Sequence, residues 1–256
     1  MRLVVYTAVF GDYDAIHAPR RHVAGVDFVC FADDPAQVPA GWTHRELSGE
    51  AASLSPASRN RWAKMHPDRL FPAHDVSVYV DGNIDIIGDV GELAHGAVAA
   101  GPLSMYDHPF RKCLYDEALA CARVGLLWLG PIRRHVERYA AEGFPRNAGL
   151  YEANVIVRRH HDPHVIRAMA RWWSEWQSGI KRDQLSLTYA LWREGLMVNS
   201  LGRHDPRFVR RYFMYLRHRH PWRGLPARLL RRYMNRGRLL IEGGLVPPVK
   251  QQAPTG

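Results

Sequence analysis

The sequence predicts an α/β domain in which a central sheet carries helices on both faces. Three observations lead there. Short β-rich runs end in polar turn residues. Segments with helical punctuation alternate with those runs, and alternation of this kind builds a covered sheet. A chain of 256 residues with 46% hydrophobic content also suffices for one sizeable core, or a core plus a small appendage.

Taken in order, the first strand is RLVVYTAVF, Arg2 to Phe10, closed by Gly11-Asp12. The second is VDFVCFADD, Val26 to Asp34, and the third is VSVYVDGN, Val76 to Asn83. A helix opens at Ser55-Pro56, carries Arg61, Trp62, Lys64 and Met65, and stops at Pro67. Another runs from Pro131 to Gly143 with Ile132, Val136 and Tyr139 on one face, Pro and Gly standing where helix ends favour them. A third is capped by Asp162-Pro163, and Ile166, Met169, Trp173 and Trp176 make its stripe. A returning strand is expected at Asn154 to Val157, and a fourth helix opens at Asp183 and ends before Gly195.

Charge is distributed unevenly. Between Arg203 and Arg238 stand twelve arginines, no lysine and one aspartate, so this stretch holds the whole excess of the formal +10. Such a segment attracts phosphates, anionic headgroups or acidic polymers. It shows no recognisable nucleic-acid-binding motif, so nucleic acid is not an expected partner. The expected organisation is a domain over 1–200, an Arg-rich extension over 201–245 packed on or beside it, and a disordered tail over 246–256. No run of about 18 apolar residues occurs and the N-terminal apolar stretch is short, which predicts neither a membrane span nor a signal peptide and makes the cytoplasm the expected compartment. Cys30, Cys113 and Cys121 are too few and too scattered for a disulfide framework or a zinc site and read as small core residues.

In open α/β sheets ligands bind at the carboxyl ends of the strands. Here three strands end in polar tips: FGDYD, ADD (Ala32 to Asp34) and DGN (Asp81 to Asn83). Each alone is an ordinary turn sequence; three together suggest one crevice. Asp81 and Asn83 are expected on the same side of an extended segment, with Gly82 admitting close approach of a ligand. Two hard oxygen donors beside a glycine suit Mn²⁺ or Mg²⁺ carrying a diphosphate.

Seven blocks, in order, carry a family resemblance: YTAVFGDYD, FVCFADD, RNRWAKMHPDRLFP, YVDGNIDI, HPFRKCLYDEA, GLYEANVIVRRH and RDQLSLTYALWREG. Over about Met1 to Gly195 the chain resembles the plant TOD/MUCI glycosyltransferase-like family, which also occurs in bacteria. The resemblance implies a GT-A-like domain with a mixed central sheet, and a nucleotide-sugar-dependent glycosyltransferase whose Asp-X-Asp-like motif holds metal and donor diphosphate. Asn83 stands in place of the second acid. Transfer breaks a bond to a diphosphate, so cations must stabilise the leaving charge, and Arg61 and Lys64, three apart on one helical face, suit that role. By the same analogy Thr7, Ala8 and Phe10 at the first strand end and Asp33 hold the base and ribose, while Asp34 is free to cap the next turn.

The second half is expected to supply acceptor and chemistry. Glu152 and Asn154 stand near the start of the returning strand; Arg182, Asp183 and Gln184 sit at a helix N-terminus, where a carboxylate also serves as a cap. The resemblance gives Asp183, Gln184 and Glu152 catalytic places, and His108, Arg111, Asn154 and Arg182 contacts to acceptor or sugar; a packed, hydrogen-bonded His108 is the other reading. In YLRHRHPWRG, His218 and His220 precede Pro221-Trp222, similar to the closing element of glycogenin-like retaining enzymes, which would make His218 a metal ligand. The expected function is metal-dependent transfer from a UDP-sugar to a saccharide or lipid-linked acceptor in bacterial envelope or capsule synthesis, with peripheral membrane contact through the Arg-rich segment. The alternatives are a ceramidase-like lipid amide hydrolase and a non-catalytic module binding membrane or polyanion.

Overall fold

The protein is described by a computed structural model over residues 1–219 and 224–242. In chain order its elements are β1 (Leu3–Val9), β2 (Val26–Ala32), β3 (Thr43–Arg45), α1 (Pro56–Met65), α2 (Pro67–Leu70), β4 (Val76–Val80), β5 (Ile84–Ile86), α3 (Val90–Ala100), β6 (Leu103–Asp107), α4 (Leu114–Arg123), α5 (Leu129–Ala141), β7 (Tyr151–Arg158), α6 (Pro163–Ser178), α7 (Gln184–Arg193), β8 (Asn199–Ser200), β9 (Phe213–Tyr215) and α8 (Leu225–Glu242).

Seven strands form one sheet in the order β3-β2-β1-β4-β7-β6-β8. Within it β7 runs antiparallel to β4 and β6, and the remaining pairs are parallel. The sheet is therefore mixed, as expected. Alternation along β1 divides the core: Val4, Tyr6 and Ala8 pack with α1 and α6, while Leu3 and Val5 pack with α3 and β4. A third cluster joins α4, α5 and α7 through Leu114, Ile132, Val136, Tyr139 and Leu185. Helices thus cover both faces, and α8 is a basic helical extension lying on α4.

Most sequence-derived boundaries hold, with two shifts. The helix expected from Pro131 begins at Leu129, placing Pro131 in its first turn, where the missing N–H costs no helical bond. On α6 the buried stripe is Val165, Ala168, Met169, Trp172 and Trp176, with Trp173 only partly buried. Trp172, seven residues after Val165, stays on the core face, and the phase is set by Val165 rather than Ile166. All three cysteines are buried and free, and burial pushes the Cys30 and Cys121 thiols up to about 12.

The Arg-rich stretch divides in two. Residues 205–219 fold back into the body: β9 pairs with β5, and the buried carboxylate of Asp205 accepts from the backbone N–H of Arg211, Tyr212 and Phe213. Gly88 makes this return possible, because a Cβ there would stand 2.2 Å from the Arg211 carbonyl. The second part is α8. The expected tail over 246–256, and His220 with Pro221-Trp222, lie outside the described residues.

Arg158, fully buried at the end of β7, locks α1 onto the sheet. Its guanidinium donates to Tyr6 Oη (2.5 Å), the Lys64 carbonyl (2.6 Å) and Ser77 Oγ (3.4 Å). Tyr6 in turn donates to the Ala63 carbonyl at 3.1 Å. Replacing Arg158 by Met keeps the apolar stem but strands buried acceptors at about 1 kcal/mol or more each, so a urea midpoint measurement is expected to show a loss of roughly 2 kcal/mol.

Candidate active site

The three polar strand tips do converge at the carboxyl edge of the sheet. Gly11 N–H donates to Asp33 Oδ2 at 2.7 Å, joining the ends of β1 and β2. Arg59 binds the other oxygen of Asp33 at 2.5 Å and lies over the Phe10 ring at 4.8 Å. Asp34 caps the following turn through Ala36 N–H, the local role anticipated for it. Thr7, Ala8 and Phe10 are buried in and after β1. Their side chains pack inward, so this strand end offers a ligand backbone and the partly exposed Asp33–Arg59 pair rather than those three side chains.

Asp81, Gly82 and Asn83 form a turn between β4 and β5 instead of an extended segment, since Ile84 N–H returns to the Asp81 carbonyl at 2.9 Å. Asn83 is consequently buried and directed at the returning chain: its backbone carbonyl accepts from Leu216 N–H (2.9 Å) and its amide reaches the Leu216 carbonyl (3.4 Å). The space at Gly82 is filled from within. A Cβ there would meet Val9 Cγ2 at 2.5 Å and Asp14 Cβ at 3.7 Å, so this glycine admits β1 rather than a ligand.

Behind Asp81 lies a buried ion cluster. Lys64 is 0% exposed and its Nζ donates to Asp183 Oδ2 (2.9 Å) and Asp81 Oδ1 (3.1 Å). Arg61 Nε donates to Asp183 Oδ1 at 2.7 Å, and Tyr79 Oη to Asp81 Oδ1 at 2.9 Å. Asp183 therefore does not cap α7: its backbone is helical and its side chain makes no cap bond. Burial works to raise this carboxyl, but Arg61 and then Lys64 outweigh it and hold it far below the usual carboxylate range. Gln184 is half-buried beside it.

A second cluster forms where β7 meets α4. His108 is buried, and its Nδ1 accepts from the backbone N–H of Phe110 and Arg111. That leaves hydrogen on Nε2, which faces Glu117 and Glu152 at 3.7 Å each. Burial drops His108 to about 4, so the ring is neutral. Glu117 is already neutralised by Arg111 (2.5 Å) and Arg182 (3.5 Å). Glu152 differs: burial raises its carboxyl, the arginines Arg207 and Arg182 only partly countering it. It sits beside a β-bulge between Met105 and Tyr106, an irregularity that re-aims neighbouring side chains. Asn154 Nδ2 lies 3.1 Å from His204 Nε2, and Asn154 Oδ1 is buried without a partner.

The returning chain adds a clasp. His218 Nδ1 and Asp14 Oδ2 are 2.6 Å apart, and Arg219 N–H donates to Asp14 Oδ1 at 3.0 Å. The Asp14 hydrogen bond raises His218 above its ordinary value. These placements bear on a metal. Asp81 Oδ1 already carries Lys64 and Tyr79, the Asn83 amide is turned to Leu216, and His218 is paired with Asp14. Among the described residues no group of three His, Cys, Asp or Glu stands close enough to hold a metal ion. As arranged, Asp81, Asn83 and His218 do not fit a metal centre; the cation between the two carboxylates is Lys64. Residues that sequence reasoning passed over are Asp14, Arg59, Glu117, His204 and Arg207. Of these, Arg59, in the same basic helix as Arg61 and Lys64, and Asp14, the last residue of the FGDYD tip, carried a local signal.

Asp183→Asn tests the ion cluster. Removing one member of a buried pair costs about 3–5 kcal/mol, far above the loss of a cap. A depressed carboxyl contributes stability that is present above its unfolded pKa of about 4 and lost as pH falls through the folded value, so the gap between wild type and variant in chemical denaturation should close on acidification below that point. The clasp has the opposite sign. His218, raised above its ordinary value, contributes below about pH 6.5 and loses that contribution as pH rises through its folded value; the melting-temperature gap between wild type and His218→Gln should be largest near pH 6 and shrink toward pH 9.

Residues 55–201 match the TOD1/MUCI70, glycosyltransferase-like domain. A curated relative, alkaline ceramidase TOD1 of Arabidopsis thaliana, is 28% identical over 192 residues, covering 62% of this chain and 41% of the relative; the chain thus spans well under half of that protein. Among solved structures, the apo form of the WbbM bifunctional glycosyltransferase aligns with a TM-score of 0.47 at 12% identity over 78% of this chain and 38% of that one. The matched segment holds α1, the Asp81 turn, Glu152 and Asp183, and covers more than half of the sequence: the chain belongs to the TOD1/MUCI70 glycosyltransferase-like family.

Proposed function

We propose that the protein transfers a glycosyl unit from a nucleoside-diphosphate sugar, a UDP-sugar being the first donor to test, to a hydroxyl of a saccharide or lipid-linked acceptor. The observation that supports this most is the unlike surroundings of two carboxylates that share Arg182 as a neighbour: Asp183 bound by Arg61 at 2.7 Å and Lys64 at 2.9 Å, and Glu152 buried on β7 with the neutral His108 ring 3.7 Å away. Environments that push two acids apart assign them different roles.

In this reading Arg59 and Arg61, at 22% and 30% side-chain exposure, bind the diphosphate and stabilise the charge that grows on its oxygens as the glycosidic bond breaks. Lys64 keeps Asp81 and Asp183 in register behind them. Asp33 accepts from the ribose. Glu152 is the base: it takes the proton of the acceptor hydroxyl as that oxygen forms its bond to the anomeric carbon and the diphosphate leaves. A raised carboxyl suits this, because proton abstraction near neutral pH works best when the acceptor of the proton has a pKa approaching the ambient pH. Asp183 is too acidic for that task and serves by its charge. No step here runs through a metal. His108, neutral with Nε2–H toward Glu152, and Arg182 orient the base and the acceptor.

Donor binding is read by thermal shift across a panel of nucleotides and sugar nucleotides; a ligand at about a hundred times its Kd stabilises by about 2.7 kcal/mol. With the donor so identified, Glu152→Gln is expected to keep the shift and lower donor hydrolysis or transfer by about 10²–10⁴-fold. Near-normal turnover in that variant would remove Glu152 as the base. Shift and turnover are also expected to survive excess chelator, and a loss restored by Mn²⁺ would return a metal to the site.

The name of the plant relative supports a second reading, hydrolysis of a lipid amide. That chemistry calls for an activated water or a nucleophile, and among the described residues no metal-binding triad offers one. Fatty acid released from ceramide by the same preparation, without any nucleotide-induced shift, would favour it.

A further inference from the structure

Helix α8 is amphipathic the wrong way round for a helix packed on a protein. Apart from Leu239, which packs against the α4–α5–α7 cluster, the face it turns to the body is polar: Asn235 is buried, its Oδ1 accepting from Leu129 N–H at 3.0 Å and its Nδ2 donating to the Ala122 and Leu127 carbonyls at 2.9 and 2.8 Å. Arg228 and Arg231 donate to the carbonyls of Val124 and Gly125, so the face satisfies the C-terminal carbonyls of α4. The opposite face is apolar. Leu229, Leu230, Tyr233, Met234, Leu240 and Ile241 are all exposed, Leu240 and Ile241 at 87% and 85%. At 3.6 residues per turn these six form one continuous stripe, with Arg232 and Arg236 along one margin and Arg238 along the other.

We infer that this face of α8 lies in the interface of an anionic lipid bilayer. A stripe of large apolar side chains bordered by arginines on both sides matches the layering of a membrane surface, hydrocarbon beneath and anionic headgroups at the level of the guanidinium groups. A second copy of the chain is a poorer occupant, because two such faces packed about a two-fold axis bring arginine margins against arginine margins. The inference stands on α8 alone and does not depend on the donor or the reaction. It places the protein as a peripheral membrane protein held by one helix; among the described residues no helix is long and apolar enough to cross a membrane.

Co-sedimentation of the full chain with vesicles tests it. Binding is expected to vesicles of phosphatidylcholine containing about 30% phosphatidylglycerol, to be weak to phosphatidylcholine alone, and to fall steeply between about 0.1 M and 0.5 M salt. Leu240→Asp with Ile241→Asp, both at exposed positions, should leave circular dichroism and melting temperature unchanged while reducing partitioning about tenfold or more; Arg232→Gln and Arg236→Gln should each reduce it about fivefold. Three results overturn the inference: no sedimentation with anionic vesicles, sedimentation unaffected by the double aspartate variant, or self-association in light scattering that the double variant abolishes while vesicles bind neither form.

Discussion

A fully buried lysine ammonium organises this protein. Lys64 carries a charge out of water, a transfer that costs many kcal/mol unless opposite charge and hydrogen bonds meet it. Asp81 from the β4 end and Asp183 from the start of α7 supply that compensation, and so the turn after β4, helix α1 and the entry to α7 have one allowed relative position. Arg158 works on the same lysine from behind, through its backbone carbonyl, and Tyr6 holds the adjacent turn of α1. What looks like a binding edge is therefore also the place where the two halves of the chain are tied together.

The same constraint sorts the acids of the site. Asp183, which faces the α1 cations, is kept ionised, whereas Glu152, one strand over, answers mainly to burial and rises. The difference lies in neighbours rather than residue type, and it gives one edge of a sheet both an acid suited to balancing charge and an acid suited to accepting a proton. His108 adds a neutral donor because two backbone N–H groups occupy its Nδ1.

The arginine-rich C-terminal stretch performs two separate jobs that its composition merges. Its first part, ordered by Asp205 and by the β5–β9 pairing, covers the Asp81 turn and brings Arg207 toward Glu152. Its second part, α8, spends some of its polar groups on α4 and presents the remainder as margins of an apolar stripe. Net charge alone carries no trace of that division, since both parts contribute arginine equally.

Local pattern determined a good deal by itself. Apolar runs ending in Gly-Asp, Ala-Asp-Asp and Asp-Gly-Asn mark strands with polar tips because burial and turn chemistry are written within a few residues, and Arg61 and Lys64 share a helical face by spacing alone. The ordered blocks extended this to the family. Tertiary structure decided the rest. Lys64 and Asp183 are 119 positions apart, His218 and Asp14 are 204 apart, and nothing local distinguishes an Asp that caps a helix from one that neutralises a buried ammonium. Asn83 turned away from Asp81 because a strand from far along the chain claimed it, Glu117 and Asp14 read as ordinary acids until α4 and the returning segment enclosed them, and the outward apolar face of α8 follows from Asn235 being the residue that α4 could bury. Charge pairing and burial are properties of what meets in space, and the chain sets that meeting only through the sheet order it folds into.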